Sequence, residues 1–93
     1  MTDDKGFIGL AVYIREQWNE FLSIAEDRHD LEDTWEEWNE ALSRIKEDLR
    51  VLGVNYVEVV VDMKELTAFC RKRNMPNNAD TRSFFVTEKL GEM

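Results

Sequence analysis

Apolar residues recur along this chain with two different periods, and the changes of period mark its elements. Phe7-Ile8-Gly9-Leu10-Ala11-Val12-Tyr13-Ile14 is an uncharged run. Two patterns fit it: a strand over residues 7–12, or the start of a helical stripe through Phe7, Ala11, Ile14, Trp18, Phe21 and Ala25. Gly6 and Gly9 weaken a helix here, and a strand gives the chain's other strand a backbone partner. The strand reading is therefore preferred, with a helix over about residues 14–27. Its apolar stripe, Ile14, Trp18, Phe21, Leu22 and Ala25, lies opposite Glu16, Asn19, Glu20 and Ser23.

After the acidic turn Glu26-Asp27-Arg28-His29-Asp30, a second periodic segment begins. Leu31, Trp35, Trp38, Leu42, Ile45, Leu49 and Leu52 recur at alternating four and three residue steps, a seam roughly 33 Å long at 1.5 Å per residue. Asp30 or Asp33 is expected to cap this helix, with Glu32, Asp33, Glu36 and Glu37 in its first turns, and Gly53 to stop it. The seam suits either packing within the chain or pairing with a second copy.

The period then drops to two. In Val54 to Val61, Val57, Val59 and Val61 fall on one face and Tyr56, Glu58 and Val60 on the other, which predicts a strand. Asp62 is placed to cap a third helix from Met63 to about Arg73, with Leu66, Phe69 and Cys70 inward and Asn74 ending it. A fourth helix, about Ala79 to Leu90, follows Asn77 or Asn78 and is expected to bury Phe84, Phe85 and Leu90. The order is β-α-α-β-α-α: an α+β fold, mostly α, with a two-stranded ribbon covered by four helices. Strand direction stays open. The 93 residues are read as one domain, with residues 1–5 expected to fray.

Charge changes the picture more than composition does. The net charge is −8, but residues 16–40 hold ten acids against one base, Arg28, while residues 41–93 hold eight acids and nine bases. A surface of that sign repels phosphates, so direct nucleic-acid binding is not expected. No apolar run approaches the roughly 20 residues that span a bilayer, and the start of the chain is acidic, unlike a secretory signal. A single cysteine, Cys70, excludes an internal disulfide and fits a reducing compartment. A cytoplasmic protein without membrane contact is expected.

Candidate chemistry is sparse. Glu26-x-x-His29 has the step used in di-iron bundles, but those need two such steps and two further Glu, and His29 is the chain's only histidine. Asp27, Asp30 and Asp33 lack the glycine turn and closing Glu of a calcium loop. Cys70 has no base linked to it by any motif. The pairs Glu16/Glu20 and Glu36/Glu40 read as solvated helix faces. Arg71-Lys72-Arg73 reads as a helix-end dipole complement, with Arg82 and Lys89 near enough in sequence to extend a positive patch. No cofactor, metal or catalytic group is expected.

Three functional readings follow. The leading one is a non-enzymatic module that docks another protein through Glu32, Asp33, Glu36, Glu37 and Glu40, with Trp35 or Trp38 as an anchor. The second is a small-ligand pocket or enzyme accessory subunit, using Glu58, Asp62, Tyr56 or Cys70 between helices and ribbon. The third is a homodimer through Trp35, Trp38, Leu42, Ile45 and Leu49, which otherwise form core. The order Asp33-Thr34-Trp35-Glu36-Glu37-Trp38, then Val59-Val60-Val61-Asp62-Met63-Lys64-Glu65-Leu66, Phe69-Cys70 and Arg82-x-x-Phe85 resembles that of small bacterial proteins of an uncharacterised family. The resemblance covers the chain from about Arg15 and implies a bacterial protein, with no activity to carry over.

Overall fold

The computed structural model describes residues 7–92; the expected fraying of residues 1–5 lies outside them. Strand β1 (Ile8–Tyr13) leads through a 3₁₀ turn (Arg15–Gln17) into helix α1 (Trp18–Ile24). A second 3₁₀ turn (Arg28–Asp30) precedes α2 (Trp35–Leu52), and β2 (Tyr56–Val61), α3 (Met63–Arg73) and α4 (Ala79–Gly91) complete the fold. This is the expected mostly helical α+β arrangement, with β1 and β2 forming a two-stranded sheet.

The strands are parallel, with Ile8 opposite Tyr56 and Tyr13 opposite Val61. Parallel strands need a crossover between them. Here α2 provides it, about 27 Å of helix at 1.5 Å per residue, returning the chain from the end of β1 to the start of β2. Trp35 Nε1 donates to the Tyr13 carbonyl at 2.8 Å at the first end, and Lys46 pairs with Glu58 at 2.9 Å further along.

Register puts Gly9, Ala11, Tyr13, Val57, Val59 and Val61 on one sheet face. Helix α4 lies against that face, and Gly9 sets how closely. A Cβ on Gly9 would sit 2.8 Å from Val86 Cγ1 and 3.4 Å from Leu90 Cδ2, so a side chain there must displace the Val86 side chain or the helix that carries it. Val59, Val61, Met63, Leu66, Phe85 and Val86 form the core with Trp18, Phe21 and Ala25. The Trp18 indole N–H is buried without an acceptor among the described residues, a penalty of about 1–3 kcal/mol that the ring's contacts with Tyr13, Phe21 and Trp38 offset.

Several expectations need correction. The first helix stops at Ile24, not near residue 27: Ala25 is extended, and the Glu26 N–H donates to the Asn77 carbonyl at 2.8 Å, so a tertiary contact overrides the stripe. Neither Asp30 nor Asp33 caps α2. Thr34 does, because only there is the bond reciprocal: the Glu37 N–H donates to Thr34 Oγ1 at 3.1 Å, and the Thr34 N–H to Glu37 Oε1 at 3.2 Å. Leu31, Glu32 and Asp33 therefore lie before the helix. Thr34→Ala is expected to lower stability by about 1 kcal/mol while Asp33→Ala changes it little, a comparison that urea denaturation resolves. The caps predicted at Gly53, Asp62 and Asn74 are present, and of Asn77 and Asn78 it is Asn78 that caps α4.

Candidate functional site

In a parallel strand, alternate residues turn both backbone groups to the same side. The Ile8 N–H donates to the Asn55 carbonyl at 3.1 Å, so with this register Ile8, Leu10 and Val12 face β2. Gly9, Ala11 and Tyr13 turn their N–H and C=O groups to the opposite edge of β1. There the Tyr13 carbonyl is taken by Trp35. The groups of Gly9 and Ala11, and the Tyr13 N–H, face a groove of about 540 Å³ between this edge and α4.

Among the described residues, the groove is uncharged apart from one. Phe7, Ile8, Gly9, Ala11 and Tyr13 line it from the strand, and Ala79, Ser83, Val86, Thr87 and Leu90 from the helix. That charge, Arg82, is 5% exposed and paired with Asp27. Its two terminal nitrogens donate to the two Asp27 carboxylate oxygens at 3.0 and 2.7 Å, and one also to Asn77 Oδ1 at 2.9 Å. That hydrogen-bonded pair holds the Asp27 carboxyl below the ordinary carboxylate value. Burial pushes the Tyr13 phenol above its ordinary value, so it stays neutral.

The other sheet edge is different in kind. Glu58, Asp62, Glu65 and Glu92 border it together with Lys89, which pairs with Glu65 at 3.3 Å. Charges along an open edge discourage strand addition. Among the described residues, one edge of this sheet is guarded in that way and the other is bare.

No family model, curated protein or solved structure matches the chain.

The acidic face read from the sequence is dispersed and locally engaged. Asp33 accepts from Arg28 at 2.9 Å, Glu36 pairs with Arg15, Glu37 closes the α2 cap, and Glu40 lies 3.6 Å from Arg44. Glu32 is half-buried. The hydrophobic seam divides: Trp35 and Trp38 pack into the aromatic cluster around Tyr13 and Leu42 is buried, whereas Ile45 is 47% exposed and Leu49 half-buried. Val51 and Leu52, at 71 and 73% exposed, are open at the helix end.

The four groups expected to line one pocket are not brought together. Glu58 and Asp62 border the β2 edge, Tyr56 a depression beside Gly53, and Cys70 another beside Pro76. The Asp62 carboxylate is occupied as the α3 cap and by Gln17 at 2.9 Å, which hold it below its ordinary value. Burial pushes the Cys70 thiol up, the opposite of nucleophile activation. Among the described residues, no three His, Cys, Asp or Glu side chains converge as a metal site would require. His29 stands exposed, 3.6 Å from Asp30.

The expected positive patch is also smaller than its sequence spacing implied. Arg82 is buried on Asp27, and Arg73 pairs with Glu88 at 2.7 Å while lying 4.6 Å over the Phe69 ring. Sequence reasoning placed Arg82 in that patch and missed its burial on Asp27, and it missed the β1 edge that is bare among the described residues. A signal existed for each: Arg82 shares a helical stripe with Phe85, Val86 and Leu90, and residues 7–14 carry no charge in a chain that is 34% charged. No described helix is long and apolar enough to cross a membrane.

Proposed function

We propose that this chain is a non-enzymatic protein-interaction module that takes an extended, uncharged segment as a third strand on β1, against α4. The observation that carries this reading is the contrast between the two sheet edges. Unpaired strand groups favour addition of another strand, with main-chain hydrogen bonds supplying affinity and flanking pockets selectivity. The Gly9 and Ala11 groups face such a groove, and among the described residues that line it the one charge is Arg82, paired with Asp27.

Ala11→Pro tests the reading directly. Its missing N–H is one that faces the open edge, so the β1–β2 ladder keeps its bonds. With the protein dilute enough that its copies stay apart, a fluorescent six-residue peptide of small and β-branched residues, carried on a short polyethylene glycol tail, is expected to bind the wild type and not Ala11→Pro. Binding is expected to change little between low and moderate salt. Equal binding by both proteins would remove the proposal.

A second reading, docking of a basic partner on the acidic segment, draws support from the ten acids and one base of residues 16–40. It makes the opposite salt prediction, because screening weakens attraction between exposed charges. Capture of a basic peptide that fades with salt and survives Ala11→Pro would favour it.

A further inference from the structure

Resting on the strand-addition reading, we infer that the occupant of the β1 edge is β1 of a second copy, giving a two-fold dimer with a continuous four-stranded sheet. The pairing is antiparallel. With Leu10 opposite its counterpart, Gly9 faces the partner's Ala11 and Ala11 the partner's Gly9. Each of these residues turns both N–H and C=O to the open edge, so the two pairs close four hydrogen bonds, and the isologous arrangement is the commonest route to a dimer.

Charge selects this occupant. An uncharged groove suits an uncharged strand, and β1 is such a strand, whereas β2 carries Glu58. Small residues also match: of the inward positions of β1, Gly9 and Ala11, the two that meet the partner, are small while Tyr13 lies beyond them, and α4 presents Ser83 and Thr87 to the groove. A net charge of −8 resists self-association over most of this molecule's surface. The groove is where that resistance is least. Exposure points the same way, since Phe7 and Ile8, at 52 and 43% exposed, sit at the start of the edge.

A dimer of a strongly acidic protein has a definite salt signature. Repulsion between the two copies is screened as salt rises, so self-association tightens or holds, in contrast to docking on a basic partner. Light scattering on the full chain at sub-millimolar concentration is expected to give twice the 11.0 kDa chain mass, with no loss of dimer on raising the salt.

Two edge variants are expected to give monomers: Ala11→Pro, and Ser83→Arg, which places a charge in the groove from an exposed helix position and leaves the strand untouched. Leu52→Glu, at the open end of α2, is expected to remain dimeric. Amide hydrogen exchange at Gly9 and Ala11 should be slow in the wild type and fast in folded Ser83→Arg. A folded Ser83→Arg that stays dimeric, or a dimer broken by Leu52→Glu alone, overturns the inference. A wild-type monomer that still binds the uncharged peptide overturns the second-copy occupant and leaves strand addition standing. A monomer that binds no peptide removes both.

Discussion

Arg82→Leu is expected to destabilise the protein by about 3–5 kcal/mol, because it leaves one member of a buried ion pair without its partner. Arg82 is 5% exposed, and Asp27 receives both terminal nitrogens of its guanidinium. Without Arg82, the Asp27 carboxylate stays beneath α4 with neither charge compensation nor those two donors, and Asn77 Oδ1 loses its donor too. Arg82→Lys is expected to recover little, since a single ammonium cannot serve three acceptors with the fork geometry of arginine. Pairing Arg82→Leu with Asp27→Leu removes the stranded charge and should restore much of the loss. Urea denaturation of the two single variants and the double variant gives the coupling, provided the slope with denaturant is unchanged.

The same pair sets a pH dependence. Hydrogen bonds from Arg82 lower the Asp27 carboxyl in the folded protein, while in the unfolded chain it titrates at the ordinary aspartate value of about 3.9. Stability from this group is therefore fully present above the unfolded value and is lost as pH falls through the folded one. The wild type should lose stability steadily below about pH 4–5, and the double leucine variant should lose less. A residual slope in that variant is expected from Asp62, whose carboxyl is lowered by the bond from Gln17 and so acts with the same sign.

Local rules made much of this fold legible. Period-two spacing over Tyr56–Val61 and the caps at Gly53, Asp62, Asn74 and Asn78 depend on residues within one turn of each other. What the sequence left open depended on distant partners. Helix α1 ends early because Glu26 and Asp27 are drawn to Asn77 and Arg82, some fifty residues on. Phe84 and Phe85 were both expected inside, but neighbours on a helix point about 100° apart. Phe85 is buried, and Phe84 is 41% exposed, edge-on to Phe69 beneath the Arg73 guanidinium. The candidate site was the least legible part: its working groups are backbone amides, and whether Gly9 and Ala11 face β2 or open space depends on register and direction, which side-chain patterns do not encode.

Phe21→Ala is expected to cost about 3–5 kcal/mol, the range for emptying a buried aromatic site. A chain of this size has roughly 5–15 kcal/mol in total, so this change removes a large share. The ring is 1% exposed, stacks on Tyr13 at 4.4 Å, meets Trp18 edge-on at 5.4 Å and lies 5.0 Å beneath the Arg82 guanidinium. Its loss would therefore open a cavity and admit water to the ion pair at once. Phe21→Leu keeps more of the volume but forfeits two aromatic contacts, each worth about 0.5–1.5 kcal/mol, and should fall between the wild type and alanine. Because ring and guanidinium touch, Phe21→Ala and Arg82→Leu should combine to less than the sum of their separate losses. Strict additivity in urea denaturation would mean that the ring and the ion pair stabilise the fold independently. Sub-additivity would make Phe21, Arg82 and Asp27 one unit, with Tyr13 on its upper side, anchoring the end of the strand whose open edge faces the groove.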